Sequence, residues 1–286
     1  MSYGRHQSFY LKRHWITKGI NALIHHDADI LLDRNAFKYL GIGKNMHQSL
    51  RFWLEATNIV FLEDKQHRLS FFGNLLKEYD LGCNENISQL LIHFFLVTFE
   101  YDKVDNANTF IWFFNDYSEI MATKETLLEG LVQYDAGQTS YNTLNRDIDC
   151  LLNTYTNYLK SHAEDKNVSL LAELGLIRKK ESNIYYKAPL KKEKYSYEAF
   201  YFILLWLKQN NFDLSIENLV NNKQGLGKIF NLNRIEVIDI IEKMKQTREF
   251  NIDIVRTNNL DTVSISCDLM ADQYLQKSYK GGNHES

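Results

Sequence analysis

The sequence predicts a mainly α-helical protein with small β-hairpins, in which tandem winged helix-turn-helix units are joined by an aromatic-rich helical segment. Three observations lead there. Apolar residues recur at helical spacing along most of the chain. The order helix, glycine turn, helix, hairpin occurs near the N-terminus. The same order returns, more faintly, in two later segments. There is a single proline, Pro189, so helices are expected to end at glycine, asparagine and capping residues.

The first unit is read over residues 1–79. Asp33 can cap a short helix, Arg34–Leu40, with Ala36, Phe37 and Leu40 facing inward. Gly41-Ile42-Gly43 turns the chain, and a second helix follows over Lys44–Thr57. Its Met46, Leu50, Trp53 and Leu54 form one apolar stripe, which predicts a buried Trp53. The other face carries Lys44, Asn45, His47, Gln48, Arg51 and Glu55. Strands are expected at Ile59–Leu62 and Arg68–Phe71 around a polar turn.

Residues 80–123 read as a helical core segment. Leu90, Leu91, Phe94, Phe95, Val97 and Phe99 are apolar on most sides, and Phe110, Trp112, Phe113, Phe114 and Tyr117 follow. Packing accounts for these side chains. A base-stacking platform would need interleaved basic residues, and only Lys103 is near.

A second winged-helix-like unit is read over 124–190. Glu125–Gln133 forms a helix, Asp135-Ala136-Gly137-Gln138 closes it, and Thr139 or Ser140 caps the next. There Leu144, Ile148, Leu151, Leu152 and Tyr155 face inward. Leu170–Leu174 is a short helix, and Arg178–Glu181 with Ile184–Tyr186 make the wing. The last unit, 195–270, has an aromatic helix at Ala199–Leu207, a cap at Ser215 and a capping box between Asn233 and Glu236. A hairpin follows over Ile252–Val255 and Thr262–Ile265. Residues 279–286 read as a disordered tail.

Composition narrows the function. Hydrophobic residues make up 44% and charged residues 24% of the chain, an ordinary globular balance. No apolar run is long enough for a membrane span, and no signal core precedes the first charges. Cys83, Cys150 and Cys267 are isolated, as thiols in a reducing compartment are. A soluble, cytoplasmic protein without membrane contact is expected. The net charge is −3, so any DNA contact must come from local patches.

The candidate DNA-binding residues follow from position and chemistry. Lys44 opens the first recognition helix, where free amides and the helix dipole favour phosphate. Asn45 and Gln48 can pair with adenine and Arg51 with guanine; His47 lies on the same face. Lys65 and Arg68 are the cations of the first wing. Asn142, Asn145 and Arg146 stand at the N-terminal end of the second recognition helix. Lys179 and Lys180 begin the most basic stretch, in which Arg178, Lys179, Lys180, Lys187, Lys191, Lys192 and Lys194 oppose Glu181 and Glu193. That stretch reads equally as a phosphate-binding strip or a solvated linker.

No catalytic, metal or cofactor site is legible. His25-His26-Asp27-Ala28-Asp29 lacks partner ligands at zinc spacing. Gly225-Leu226-Gly227-Lys228 lacks the phosphate-loop spacing. Asp147 and Asp149 point to different faces of one helix.

The phrases His6-Gln7-Ser8-Phe9, Trp15-Ile16-Thr17-Lys18-Gly19 and Leu40-Gly41-Ile42-Gly43-Lys44-Asn45-Met46, with Arg51 and Trp53, resemble the motifs of an uncharacterised bacterial family. Asn142–Asp147 and Leu171–Ile177 fit its middle. Lys12 stands where the family pattern has arginine. Members of that domain-of-unknown-function family occur beside PAPS-reductase-like proteins in DNA phosphorothioation and phage-defence loci. The resemblance implies such a context, with no catalytic residues to carry over. The expected function is a non-enzymatic DNA-binding accessory protein of a modification or defence system. Its partners would be double-stranded DNA and a PAPS-reductase-like or other defence-system protein. The competing expectation is a winged-helix scaffold that assembles such a complex without touching DNA.

Overall fold

The computed structural model describes residues 3–26, 30–98, 107–156, 169–180, 183–247, 249–257 and 260–282. It is mainly helical, with small antiparallel sheets of two or three strands. The chain divides into two compact units, Met1–Ala188 and Pro189–Ser286. The segments expected at 1–79 and 80–123, and most of 124–190, pack together within the first.

The first unit opens with α1 (Arg13–His25), which buries Trp15, Ile16 and Ile20. Its Gly19 lies so near α3 that an added Cβ would meet Leu54 Cδ1 at 2.3 Å. Then come α2 (Ala36–Tyr39) and α3 (Lys44–Ala56). Asp33 accepts from the Asn35 amide at 2.9 Å, which places its cap one turn before the helix proper. Gly41 makes the turn at φ +62°, a backbone shape that favours glycine. As the apolar stripe requires, Trp53 is only 1% exposed.

Strands β1 (Val60–Glu63) and β2 (Gln66–Leu69) pair antiparallel with Glu63 opposite Gln66. This corrects the expected second strand, Arg68–Phe71. The turn is a tight one at Asp64-Lys65, both with positive φ, so pairing starts two residues earlier. Ser70 then accepts from the Gly73 amide at 2.9 Å and starts α4 (Phe71–Tyr79), a helix that the sequence pattern does not predict.

Helix α5 (Asn86–Thr98) is buried along most of its length. A short α6 (Asn108–Ile111) runs into a π-helical turn at Trp112–Asp116. Phe99 and Lys103 lie outside the described residues. Strand β3 (Met121–Thr123) precedes α7 (Lys124–Tyr134) and α8 (Tyr141–Thr156), in which Leu144, Ile148, Leu151, Leu152 and Tyr155 are buried. After a 3-10 turn, Leu170–Leu174, strands β4 (Ile177–Lys179) and β5 (Ile184–Lys187) complete a three-stranded sheet in the order β3-β5-β4.

The second unit comprises α9 (Tyr197–Gln209), α10 (Ile216–Asn221), α11 (Leu226–Phe230), α12 (Arg234–Gln246), the hairpin β6 (Ile252–Thr257) and β7 (Leu260–Ile265), and α13 (Ala271–Gly282). Ser215 bridges to Thr262 beside the hairpin, and the Asn233–Glu236 capping box is formed. The expected tail from 279 is corrected by α13, which continues to Gly282 because Ala271, Leu275 and Tyr279 are buried at helical spacing. Residues 283–286 lie outside the described residues. Gly225 and Gly227 serve packing: a Cβ at Gly227 would meet Val220 O at 2.2 Å. Among the described residues no helix is long and apolar enough to cross a membrane.

Candidate nucleic-acid interface

Helix α3 buries His47, Ser49, Leu50, Phe52, Trp53 and Leu54 and turns Lys44, Asn45 and Gln48 to solvent. Gly43, at its N-cap, has no side chain to close the helix end, and the first turn holds no acidic residue. The positive end of the helix dipole is therefore left uncompensated, with Lys44 beside it. Among the described residues Lys44, Asn45, Gln48 and Arg34 have no hydrogen-bond or ion-pair partner.

Two open clefts flank this helix. On one side Leu32, Asp33 and Arg34 join Lys44, His47, Gln48 and Arg51 around a cleft of about 480 Å³. Arg34, Lys44 and Arg51 face a single carboxylate there. Arg51 is only loosely held, with its Nε 3.8 Å from Glu55. Glu55 is engaged by His67 Nε2 at 2.8 Å and Arg5 Nη2 at 3.0 Å. Burial opposes its charge, but the His67 hydrogen bond and the Arg5 and Arg51 charges hold its carboxyl below the usual range.

His47 requires a correction. Its sequence position predicts an exposed group beside Lys44, but it is 5% exposed and forms the cleft wall. Burial and the neighbouring Arg51 lower its pKa, which keeps the ring neutral. It therefore brings no charge for a phosphate.

On the other flank Asn45 meets Tyr3, Gly4, Gln7, Ser8, Thr143 and Arg146 around a cleft of about 510 Å³. The N-terminal arm makes this meeting possible. Asp147 of α8 accepts from Gly4 N at 2.9 Å, from His6 Nε2 at 3.0 Å and from Thr109 Oγ1 at 3.0 Å. Burial opposes a positive charge on this imidazole, but the neighbouring Cys150 and Asp147 outweigh it and raise its pKa. The Ser8 amide approaches His6 Nδ1 to 3.1 Å, so the ring is held at both nitrogens. From α3, Trp53 Nε1 donates to Phe9 O at 3.0 Å. The arm is thus pinned to α3 and α8 at once. Gln7 and Ser8 both keep positive φ, strain that these bonds hold in place.

The remaining candidates are dispersed. Lys65 sits in the β1–β2 turn, and Arg68 Nε lies 3.3 Å from Glu63 on the same hairpin. Asn142 is exposed and its carbonyl accepts from Arg146 Nε at 3.2 Å; Asn145 is half-buried. Lys179 and Lys180 lie over the Tyr185 and Tyr186 rings at 5.4 and 5.3 Å. Lys191, Lys192 and Lys194 belong to the second unit, and Glu181 is outside the described residues. Among the described residues no cluster of three or more His, Cys, Asp or Glu could hold a metal ion; Asp27 and Asp29 are not among them. Asp147 and Asp149 are separately engaged, the latter by Lys124 Nζ at 2.7 Å.

A family of proteins of unknown function, DUF4007, matches residues 3–279. The chain belongs to the DUF4007 family. This agrees with the resemblance to an uncharacterised domain family read from the motifs. Two solved structures, of SspB and of magnesium ion-bound SspB, share the fold of this DUF4007 chain. Each has a TM-score of 0.84 and 18% identity, and covers 99% of this chain and 89% of its own. No curated protein matches the sequence.

Arg34 and the arm residues of this DUF4007 chain are not among the sites the sequence predicts. Arg34 directly follows a capping aspartate, which places it near a helix start but not near Lys44. The signal for the arm is the pairing of His6 and Asp147, which both lie in the family-like phrases and are 141 residues apart.

Proposed function

We propose that this DUF4007 chain is a non-enzymatic DNA-binding accessory protein of a bacterial DNA-modification or phage-defence system, working in the cytoplasm beside a PAPS-reductase-like or other defence protein. The observation that carries the reading is the uncapped start of α3, where Lys44, Asn45, Gln48 and Arg34 stand exposed without partners and Arg51 is loosely held. Packing does not account for these side chains, and their types suit phosphates and base edges. Winged-helix units supply the frame. Their support is the order α2, α3, β1, β2, the β3-β5-β4 sheet closing around α7 and α8, and the Ser215 bridge to the β6–β7 hairpin. In this reading Lys44 and Arg34 hold the backbone of double-stranded DNA, while Asn45, Gln48, Arg51 and Arg146 meet base edges.

A mobility-shift titration against salt tests it. Replacing Arg34, Lys44 and Arg51 by alanine should weaken duplex binding and reduce the salt slope by about 0.9 for each phosphate no longer neutralised. Gln48→Ala should cost about 1–3 kcal/mol on a preferred site and little on random duplex. If wild-type protein shows no salt-dependent binding at low ionic strength, the reading fails.

A further inference from the structure

Lys44, His47, Gln48 and Arg51 stand at positions i, i+3, i+4 and i+7 of α3, so they form one stripe along the helix. The segment Leu32–Arg34, before α2, forms the opposite wall of the cleft of about 480 Å³. A phosphate on the outside of a helix needs no cleft, whereas this volume suits a small molecule. Its lining is of two chemical kinds. The first is cationic: Arg34, Lys44 and Arg51 face Asp33, whose carboxylate already accepts from the Asn35 amide at 2.9 Å. Gly43 leaves the positive end of α3 open beside Lys44.

The second kind is a lone pair. His47 lines the cleft and is 5% exposed, and its Nε2 is buried with no hydrogen-bond partner among the described residues. The ring is bonded to the Ile30 backbone in the way that favours its protonated form, as a carbonyl acceptor does. Because Nε2 is unpaired, that bond belongs to Nδ1–H. In the neutral ring Nε2 is then an acceptor. A buried acceptor left unpaired costs free energy that only a donor recovers. Phosphate oxygens and the Asp33 carboxylate are themselves acceptors, so the anion that suits the cations does not satisfy His47. The complementary ligand carries a neutral N–H donor at a distance from its negative charge.

We propose that this cleft takes one nucleotide whose base carries an exocyclic amine, with the phosphate on Lys44 and Arg34 and the amine donating to His47 Nε2. The order along the stripe fits: the cation at the helix start comes first, the acceptor one turn later, and Gln48 and Arg51 lie beside the base. A base stacked in a duplex does not reach a group sunk in the cleft wall, so a nucleotide from a strand has to leave the stack to enter. The inference rests on the DNA reading of α3 and adds to it which nucleotides are held and by which atom.

Fluorescence anisotropy of the full chain tests it with two duplexes that differ in one unpaired nucleotide, adenine in one and unsubstituted purine, which lacks only the amine, in the other. Wild-type protein should bind the adenine duplex about tenfold tighter or more, because purine leaves Nε2 unpaired. His47→Phe, which keeps a ring in the wall without the acceptor, should bind both duplexes alike. Should that variant not fold, the wild-type comparison still decides. Calorimetry with deoxyadenosine monophosphate and its purine analogue separates a free nucleotide from one in a strand. Equal wild-type affinity for adenine and purine in both forms, or a preference that survives in folded His47→Phe, overturns the proposal. Duplex binding without any adenine preference would sink this inference and leave the DNA reading standing. A preference for the free adenine nucleotide in a protein that binds no duplex would sink the DNA reading and keep the cleft as a nucleotide site.

Discussion

Glu55 shows how one side chain can serve both stability and the candidate site. It receives His67 and Arg5 directly and restrains Arg51 only weakly, at 3.8 Å. Because its folded-state pKa is depressed, its contribution to stability is complete above the unfolded-state pKa and is lost as pH falls through the folded one. Glu55→Gln should therefore lower stability by about 1 kcal/mol near neutral pH, a modest figure for a carboxylate that keeps some solvent access. The difference from wild type should shrink through the acid range and vanish where both states are protonated. Urea melts at neutral and strongly acid pH measure it; a loss independent of pH would mean that the charge is not what Glu55 supplies. Loss of this carboxylate also frees Arg51 toward the cleft.

At the scale of elements, the β1–β2 hairpin carries its own cost. Asp64 and Lys65 both sit at positive φ, which a two-residue hairpin of this twist requires and which side chains other than glycine resist. Lys65→Gly should raise stability by up to about 1 kcal/mol, since glycine adopts that shape freely. The same substitution should weaken duplex binding and its salt slope if Lys65 contacts a phosphate. Thermal melts and mobility shifts on one variant separate the two effects. Stability that falls would contradict the turn geometry. Affinity that holds would remove Lys65 from the interface. The hairpin also shows why helix α4 has no signature in the sequence pattern. Ser70 ends the strand and caps the helix at once, so Phe71 and Phe72, which suit a strand by composition, open a helix whose Phe72, Leu75 and Leu76 are buried.

At the scale of the whole molecule, the net charge of −3 means that binding to a polyanion rests on where the cations lie. The most basic stretch crosses the boundary at Ala188–Pro189, with Lys179 and Lys180 in the first unit and Lys191, Lys192 and Lys194 in the second. Replacing the two sets by glutamine separately should weaken binding to every duplex alike, each with a smaller salt slope, if both track the phosphate backbone. An unchanged slope for either set assigns that set to a solvated surface. In either case sequence preference should remain with Asn45, Gln48, Arg51 and Arg146.

By itself the sequence determined the elements whose causes are local. The stripe Met46, Leu50, Trp53 and Leu54 specifies a helix and buries Trp53, since 3.6-residue spacing puts these side chains on one face. Ser215, and Asn233 with Glu236, mark helix starts because their side chains reach amides only three residues away. The spacing of cations along the chain is equally local. Only the tertiary structure decided what those residues meet. His47 has the sequence position of an exposed group, yet the chain before α2 folds over it and removes it from solvent. His6 and Asp147 carry no local pattern that pairs them; burial in a shared core forces the bond, because neither group could be left unsatisfied there. Asn45 and Arg146 reach one cleft for the same reason: their helices bury apolar faces in one interior, and the pinned arm spans the gap between them. Hydrogen-bond reach and helical period are short-range and show in neighbouring residues. The exclusion of water from a common core is long-range, and it chose the partners.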